Sequence, residues 1–231
     1  MTLLFDPQPP VLAPTSDGRF FPVRRIFCIG RNYEEHAREM GDKADPEAPF
    51  FFTKWAETVV GDGATIAYPQ GTSNFHYEAE LVVAIHRPGR NIPRERALDH
   101  VWGYAAGLDM TRRDLQSEAR AKQRPWDAGK NVEQSSPLGL IHPASALGDA
   151  TKGALTLTVN GVERQRGDLS QMITPVDRLI AFLSGLYRLE AGDLIYTGTP
   201  AGVGAVVPGD VIVVAVQGLT SLTITVGQPD R

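Results

Sequence analysis

Glu78 and Glu80 stand two residues apart and run directly into Leu81, Val82, Val83, Ala84 and Ile85. An unbroken succession of aliphatic and β-branched residues marks a strand entering a core. Side chains at i and i+2 of a strand leave one face, so the two carboxylates would sit side by side. Like charges that close repel, and an unpaired carboxylate beside an apolar run is costly, so a cation between them is the economical resolution. Asp109 ends the strand-like run 101–108, where the pattern turns helical, and offers a third acid. Three carboxylates are hard ligands that suit Mg²⁺ or Mn²⁺. The competing reading of the E-x-E pair is a solvated acidic face.

Two further constellations carry chemistry. His36 and Glu39 are i and i+3 on a short helix predicted after Asn32, with Asn32 as N-cap, Glu35 completing a capping box and Gly41 as the stop. A carboxylate beside an imidazole fixes its tautomer and raises its basicity, the arrangement of a general base; the alternative is an exposed helix ion pair. Asp109, Arg113 and Gln116 are spaced i, i+4, i+7, so a helix beginning at Asp109 would turn all three toward one cavity or, failing that, make a surface stripe. Lys54 emerges at the end of the strand-like run 49–54, and Lys130 ends a non-repetitive loop, 123–130. The glycine-rich stretch 196–204 has neither a G-K-[ST] ending nor G-x-G-x-x-G, so its glycines read as close backbone approach to a small ligand, with Thr199 supplying a hydroxyl.

The elements that must position these groups are short and β-rich. Across 231 residues, 23 glycines and 17 prolines punctuate the apolar runs, and 42% hydrophobic content suffices for one substantial core. Residues 1–24 read as a peripheral β segment and 25–231 as a single catalytic domain. The charged stretch 42–48, with Pro46, reads as a mobile loop. Leu155 to Val159 followed by Asn160-Gly161 predicts a hairpin with a type I′ turn. Thr174-Pro175 predicts a helix start, with Leu179, Ile180, Leu183, Leu186 and Tyr187 as its core stripe. Ala191-Gly192-Asp193 and Pro208-Gly209-Asp210 each look like a turn feeding a strand. The net charge of −4 without a basic block argues against nucleic acid as partner, and the apolar runs are too short to span a bilayer. No secretory signal is visible at the N-terminus, and the lone Cys28, in a strand-like apolar run, reads as a buried small hydrophobe; both suit a reducing cytoplasm.

Taken together, GRNYEEH at 30–36, PFFFTK at 49–54, HYEAELVV at 76–83, GYAAGLDMTRRDLQ at 103–116, RPWDAGK at 124–130 and DLIYTGTPAGVG at 193–204 resemble the fumarylacetoacetate hydrolase family. The resemblance extends from Arg25 to about Val214. It implies a mixed, β-rich α+β fold, a sandwich roll wound around a metal pocket, with short helices and an N-terminal lid at about 31–48. It also implies a homodimer that cleaves or decarboxylates β-dicarbonyl acids with Mg²⁺ or Mn²⁺. The family's metal ligands fall on Glu78, Glu80 and Asp109, and its catalytic His/Glu pair on His36 and Glu39. Its substrate and oxyanion contacts fall on Arg113, Gln116, Lys130 and Thr199, and Lys54 matches a lysine near the pocket. One departure is Gly129, where family members commonly carry alanine before the lysine; it leaves the local loop geometry open. Within the family, the segments at 30–41, 97–116 and 197–210 most resemble bacterial hydrolases that split acylpyruvates in gentisate breakdown. That resemblance implies hydrolysis of fumarylpyruvate to fumarate and pyruvate. Rival readings are an oxaloacetate decarboxylase, a hydratase of 2-oxo-alkenoic acids and, from another class, a non-catalytic β-rich binding module.

Overall fold

The computed structural model describes residues 3–41, 49–147 and 151–230; the loop reading at 42–48 lies outside the described residues. Its centre is a six-stranded mixed sheet. The strand order is His142–Pro143, Val101–Leu108, Ala79–Ile85, Asp193–Tyr196, Arg25–Gly30 and Phe50–Lys54, and the one parallel pair is Asp193–Tyr196 with Arg25–Gly30. A five-stranded sheet lies against it, ordered Val162–Asp168, Ala154–Val159, Val211–Val216, Leu222–Val226 and Thr65–Ile66. The unbroken apolar run after Glu80 has a physical cause: both faces of Ala79–Ile85 are buried. Leu81, Val83 and Ile85 join the main core with Leu155, Leu157, Ile212 and Ile224. Val82 and Ala84 face a second core, which the N-terminal hairpin Val11–Pro14/Phe20–Val23 closes with Ala13, Phe21 and Val23.

Local expectations met mixed outcomes. Asn160 and Gly161 take φ of 51° and 78°, as the type I′ hairpin requires. The two Gly-Asp turns share one construction: Asp193 Oδ2 accepts the Glu190 N–H and Asp210 Oδ2 the Val207 N–H, each at 2.8 Å. Helix Val176–Leu186 buries Val176, Leu179, Ile180 and Leu183, but Leu186 and Tyr187 are exposed, and Pro175 rather than Thr174 occupies the N-cap. The short helix Glu34–Glu39 starts from Tyr33 without a side-chain cap. Asn32, expected to cap it, spends its amide on the Thr174 and Thr197 carbonyls (3.0 and 2.7 Å) and the Thr174 N–H (2.8 Å). A tertiary clamp thus replaces the local cap. None of the described helices is long and apolar enough to cross a membrane.

Candidate metal centre and active site

Glu78 sits where the chain changes sheets. Phe75–Tyr77 belongs to a small three-stranded sheet with Thr111–Arg112 and Gly204–Val206, and Ala79–Ile85 belongs to the central one. Strand alternation alone therefore does not align the two glutamates; the ladder bond from Asp109 N–H to the Glu78 carbonyl at 2.9 Å spans the break. Asp109 follows the last residue of Val101–Leu108 and precedes Thr111–Arg112, so it lies outside the helix, which begins at Arg113. The expected i, i+4, i+7 helical face was thus the wrong geometry for Asp109, although Asp109, Arg113 and Gln116 are all buried at one site. One oxygen from each of Glu78, Glu80 and Asp109 lies within 4.8 Å of the others.

Three cationic side chains are shared unevenly among these acids. Lys130 Nζ donates to Glu78 Oε2 and Asp109 Oδ2 at 2.7 Å and to Thr111 Oγ1 at 2.8 Å. It ends a short helix, Asp127–Lys130, where a loop was expected. Lys54 Nζ donates to Asp109 Oδ1 at 2.8 Å, the Met110 carbonyl at 3.2 Å and the Ser135 carbonyl at 2.7 Å. With its three protons on protein acceptors, Lys54 stands behind Asp109 and contacts the carboxylate rather than a substrate. Arg113 donates to Glu78 Oε1, to Gln116 Oε1 and to His76 Nδ1. Glu80 receives only the Gly198 N–H, at 2.7 Å, and no cation pairs with it among the described residues.

The electrostatics follow this inequality. Burial pushes the Glu78 carboxyl up, but Lys130 and Arg113 beside it more than reverse that, leaving it below the usual range. Burial, then the charges of Asp109 and Glu78, push Glu80 well above the usual range. Burial opposes the charge on Lys130, yet Asp109 and Glu78 raise it on balance. Glu80 is the acid still lacking positive charge, and all three candidate ligands offer carboxylate oxygen, so the residues fit a hard divalent cation. His76 is held neutral. Burial and then the Arg113 charge lower it to about 4, and Arg113, which can only donate, takes Nδ1 while Nε2 meets Asn74 Oδ1 at 2.8 Å.

His36 and Glu39 come together as the spacing implies, with Nδ1 to Oε2 at 3.1 Å and His36 buried. Because a carboxylate accepts, Nδ1 carries the proton and Nε2 is left basic in the neutral ring. The glycine-rich stretch serves these carboxylates directly: Gly198 N–H donates to Glu80, and Gly202 N–H to Glu39 at 3.1 Å. Gly198 and Gly202 both have φ of +97°, and a Cβ on Gly202 would stand 2.2 Å from the Arg164 carbonyl oxygen. Those glycines bring the backbone against protein groups, which corrects the ligand-approach reading. Gly129 is likewise a contact position, its absent Cβ lying 2.8 Å from Gln116 N.

One pocket collects Glu78, Glu80, His36, Arg113, Gln116, Lys130 and Thr199; Lys54 is not on its wall. Arg31, Arg120, Phe52 and Trp126 also line it and were missed from sequence. Arg31 carried a faint signal, standing within the GRNY run, whereas Arg120 is one of many helix charges. Gln165, also missed, is a lone buried amide in an otherwise exposed or half-buried strand, holding Thr199 Oγ1 at 2.8 Å.

Known proteins share this architecture. The profile of the family described as "Fumarylacetoacetate (FAA) hydrolase C-terminal" matches residues 25–227. The chain belongs to the fumarylacetoacetate hydrolase family. A fumarylpyruvate hydrolase from Ralstonia sp is 51% identical over 181 residues, spanning 78% of this chain and 94% of that one. A mitochondrial oxaloacetate decarboxylase from Dictyostelium discoideum is 42% identical over 197 residues, 85% of this chain and 90% of that one. The crystal structure of fumarylpyruvate hydrolase from Pseudomonas aeruginosa in complex with Mn²⁺ and pyruvate superposes with a TM-score of 0.94 at 48% identity, covering 98% of this chain and all of the other. The mixed, strand-rich α+β fold expected of the family is the one found.

Proposed function

We propose that this chain is a metal-dependent hydrolase that cleaves a carbon–carbon bond of an acylpyruvate, converting fumarylpyruvate to fumarate and pyruvate. The observation that carries the reading is the buried acid triad with one carboxylate lacking a cation; two of its acids, Glu78 and Glu80, line the same pocket as His36, which is paired with Glu39. Its likeness to a fumarylpyruvate hydrolase that binds Mn²⁺ and pyruvate supports the substrate. Glu78, Glu80 and Asp109 would hold Mg²⁺ or Mn²⁺, which supplies Lewis-acid stabilisation of the negative charge left on the pyruvate half.

The chain's own residues do the rest. His36 Nε2, left as the acceptor by the Nδ1–H to Glu39 bond, takes a proton from the water that adds to the acyl carbonyl. Arg113 occupies Gln116 Oε1, so the Gln116 amide N–H groups, which have no acceptor among the described residues, can meet the oxygen that gains charge. Thr199 anchors the 2-oxo acid end, while Lys130, its three protons on Glu78, Asp109 and Thr111, spaces Glu78 from Asp109 at the pocket wall. Lys54 fixes Asp109 from behind. Residues 31–41, the described part of the lid expected at about 31–48, act as a closing lid.

The protein is read as a cytoplasmic homodimer serving gentisate breakdown. Exposed Leu12 and Phe20 on the N-terminal hairpin offer apolar surface to a second copy, which light scattering would register as twice the chain mass. The deciding assay is turnover of fumarylpyruvate, acetylpyruvate and oxaloacetate by EDTA-treated enzyme with Mg²⁺ or Mn²⁺ restored. Turnover of oxaloacetate to pyruvate with fumarylpyruvate untouched would favour the decarboxylase reading, for which the Dictyostelium relative is the specific support.

A further inference from the structure

Gln165 is the one fully buried side chain of the strand Val162–Asp168. The register explains why it points inward. Gln165 pairs with Leu157 and Glu163 with Thr158, so Arg164 is an extra residue in a bulge. Bulges re-aim the side chains beside them. The glycine-rich stretch packs directly on this bulge: a Cβ at Gly202 would stand 2.2 Å from the Arg164 carbonyl oxygen, and one at Gly167 2.8 Å from Pro200 Cβ.

Two backbone groups of single polarity fix which way the Gln165 amide faces. The Ala79 N–H can only donate, and it meets Oε1 at 2.9 Å. The Pro200 carbonyl can only accept, and it lies 2.8 Å from Nε2. The remaining Nε2 hydrogen therefore goes to Thr199 Oγ1 at 2.8 Å, with Thr199 as acceptor. Thr199 donates to no protein group among the described residues, and it lines the pocket. Its own hydroxyl hydrogen is thus left for a pocket anion. Ala79 also lies between Glu78 and Glu80, so one amide sets the distance between the acidic pair and the stretch that carries Thr199.

We infer that Gln165 is a positioning residue that fixes the Thr199 hydroxyl as a hydrogen-bond donor toward the carboxylate of the bound 2-oxo acid. This rests on the reading of the pocket as a 2-oxo acid site. A bond to a charged acceptor is lost if the polarity reverses, and Gln165→Glu reverses it while keeping size, since a carboxylate makes Thr199 donate inward.

The experiment is a double-mutant cycle of Gln165→Glu and Thr199→Val on Mn²⁺-loaded enzyme. Pyruvate affinity is measured by calorimetry, and fumarylpyruvate turnover supplies KM and kcat. Thr199→Val and Gln165→Glu should each weaken pyruvate binding by roughly 10- to 100-fold. The double variant should be no worse than about threefold below Thr199→Val, because the hydroxyl through which Gln165 acts is already gone. The loss should appear in KM, with kcat and Mn²⁺ affinity nearly unchanged. If Gln165→Glu fails to fold, Gln165→Met enters the same cycle; it frees the hydroxyl to rotate, and its smaller loss should likewise vanish in the Thr199→Val background. Full additivity, or Gln165→Glu binding pyruvate normally while Thr199→Val does not, would overturn the inference. Unchanged pyruvate affinity in Thr199→Val would instead remove the 2-oxo acid reading beneath it, and the inference with it.

Discussion

Glu78, Glu80 and Asp109 are rooted at the ends of strands buried on both faces, and Lys54, Lys130 and Arg113 brace two of them. His36 lines the pocket from a six-residue helix, with Glu39 hydrogen-bonded to it on the same helix. That segment is tied to the body by the Asn32 clamp at its start, by Glu39 to Gly202, and by Arg120 to the Met40 carbonyl at 2.9 Å. The contrast separates two requirements of one reaction. Charge stabilisation demands groups that do not reorganise, and interlocked buried ion pairs supply that. On the proposed mechanism, proton transfer and water entry fall to a short element with a few severable tethers.

The largest test of this contrast lies within the acid triad. Asp109→Ala should abolish measurable Mn²⁺ binding and also cost about 3–5 kcal/mol of stability, because it leaves Lys54 buried without a carboxylate and Lys130 with Glu78 alone. Glu80→Gln should abolish metal binding too, with no loss of stability in metal-free protein, since it removes the one acid without a cation. Denaturant melts with calorimetry read both; equal destabilisation by the two would show that the uneven charge sharing has no consequence. On the other side, His36→Ala should lower kcat by about 10²–10⁴ with metal affinity intact. Wild-type turnover of fumarylpyruvate in that variant would remove His36 as the base. Gly129→Ala comes next: the added Cβ must displace the Gln116 backbone, so turnover should fall by about tenfold with Mn²⁺ binding retained. Unaltered kcat/KM there would mean that Gln116 is not held by this contact.

Two smaller effects sharpen the picture. Amide exchange across residues 32–41 should slow when oxalate binds Mn²⁺-loaded enzyme, while exchange in Ala79–Ile85 stays unchanged; equal response of both segments would erase the distinction between them. His76 has a folded pKa depressed to about 4 from 6.5, so its contribution to stability is present above pH 6.5 and drains away as pH falls toward 4. Comparing urea midpoints at pH 7 and pH 5, His76→Asn should lose less than wild type, and identical losses would count against a ring held neutral.

Much of the site was legible because reactive residue types had nowhere else to go in an apolar setting. Glu80 running into Leu81–Ile85 announced a buried charge, and the i, i+3 spacing of His36 and Glu39 brought them into contact on their helix as expected. Other features were invisible because their partners lie far along the chain. Asn32 looked like a cap until Thr174 and Thr197, 142 and 165 residues away, took its amide. Asp109 looked helical because Arg113 and Gln116 are spaced to match it, but the backbone stays extended through Thr111–Arg112 before the helix begins.

The sequence by itself determined the ligand chemistry: three hard acids, a histidine with its carboxylate, and β-rich runs able to bury them. These are properties of residue type and short spacing, which survive in any arrangement that folds. Only the tertiary structure decided which cation serves which acid, that Lys54 works from behind Asp109, and that Gln165 faces Thr199. Hydrogen-bond polarity is assigned by whichever groups the sheets bring within about 3 Å, and no local pattern encodes that.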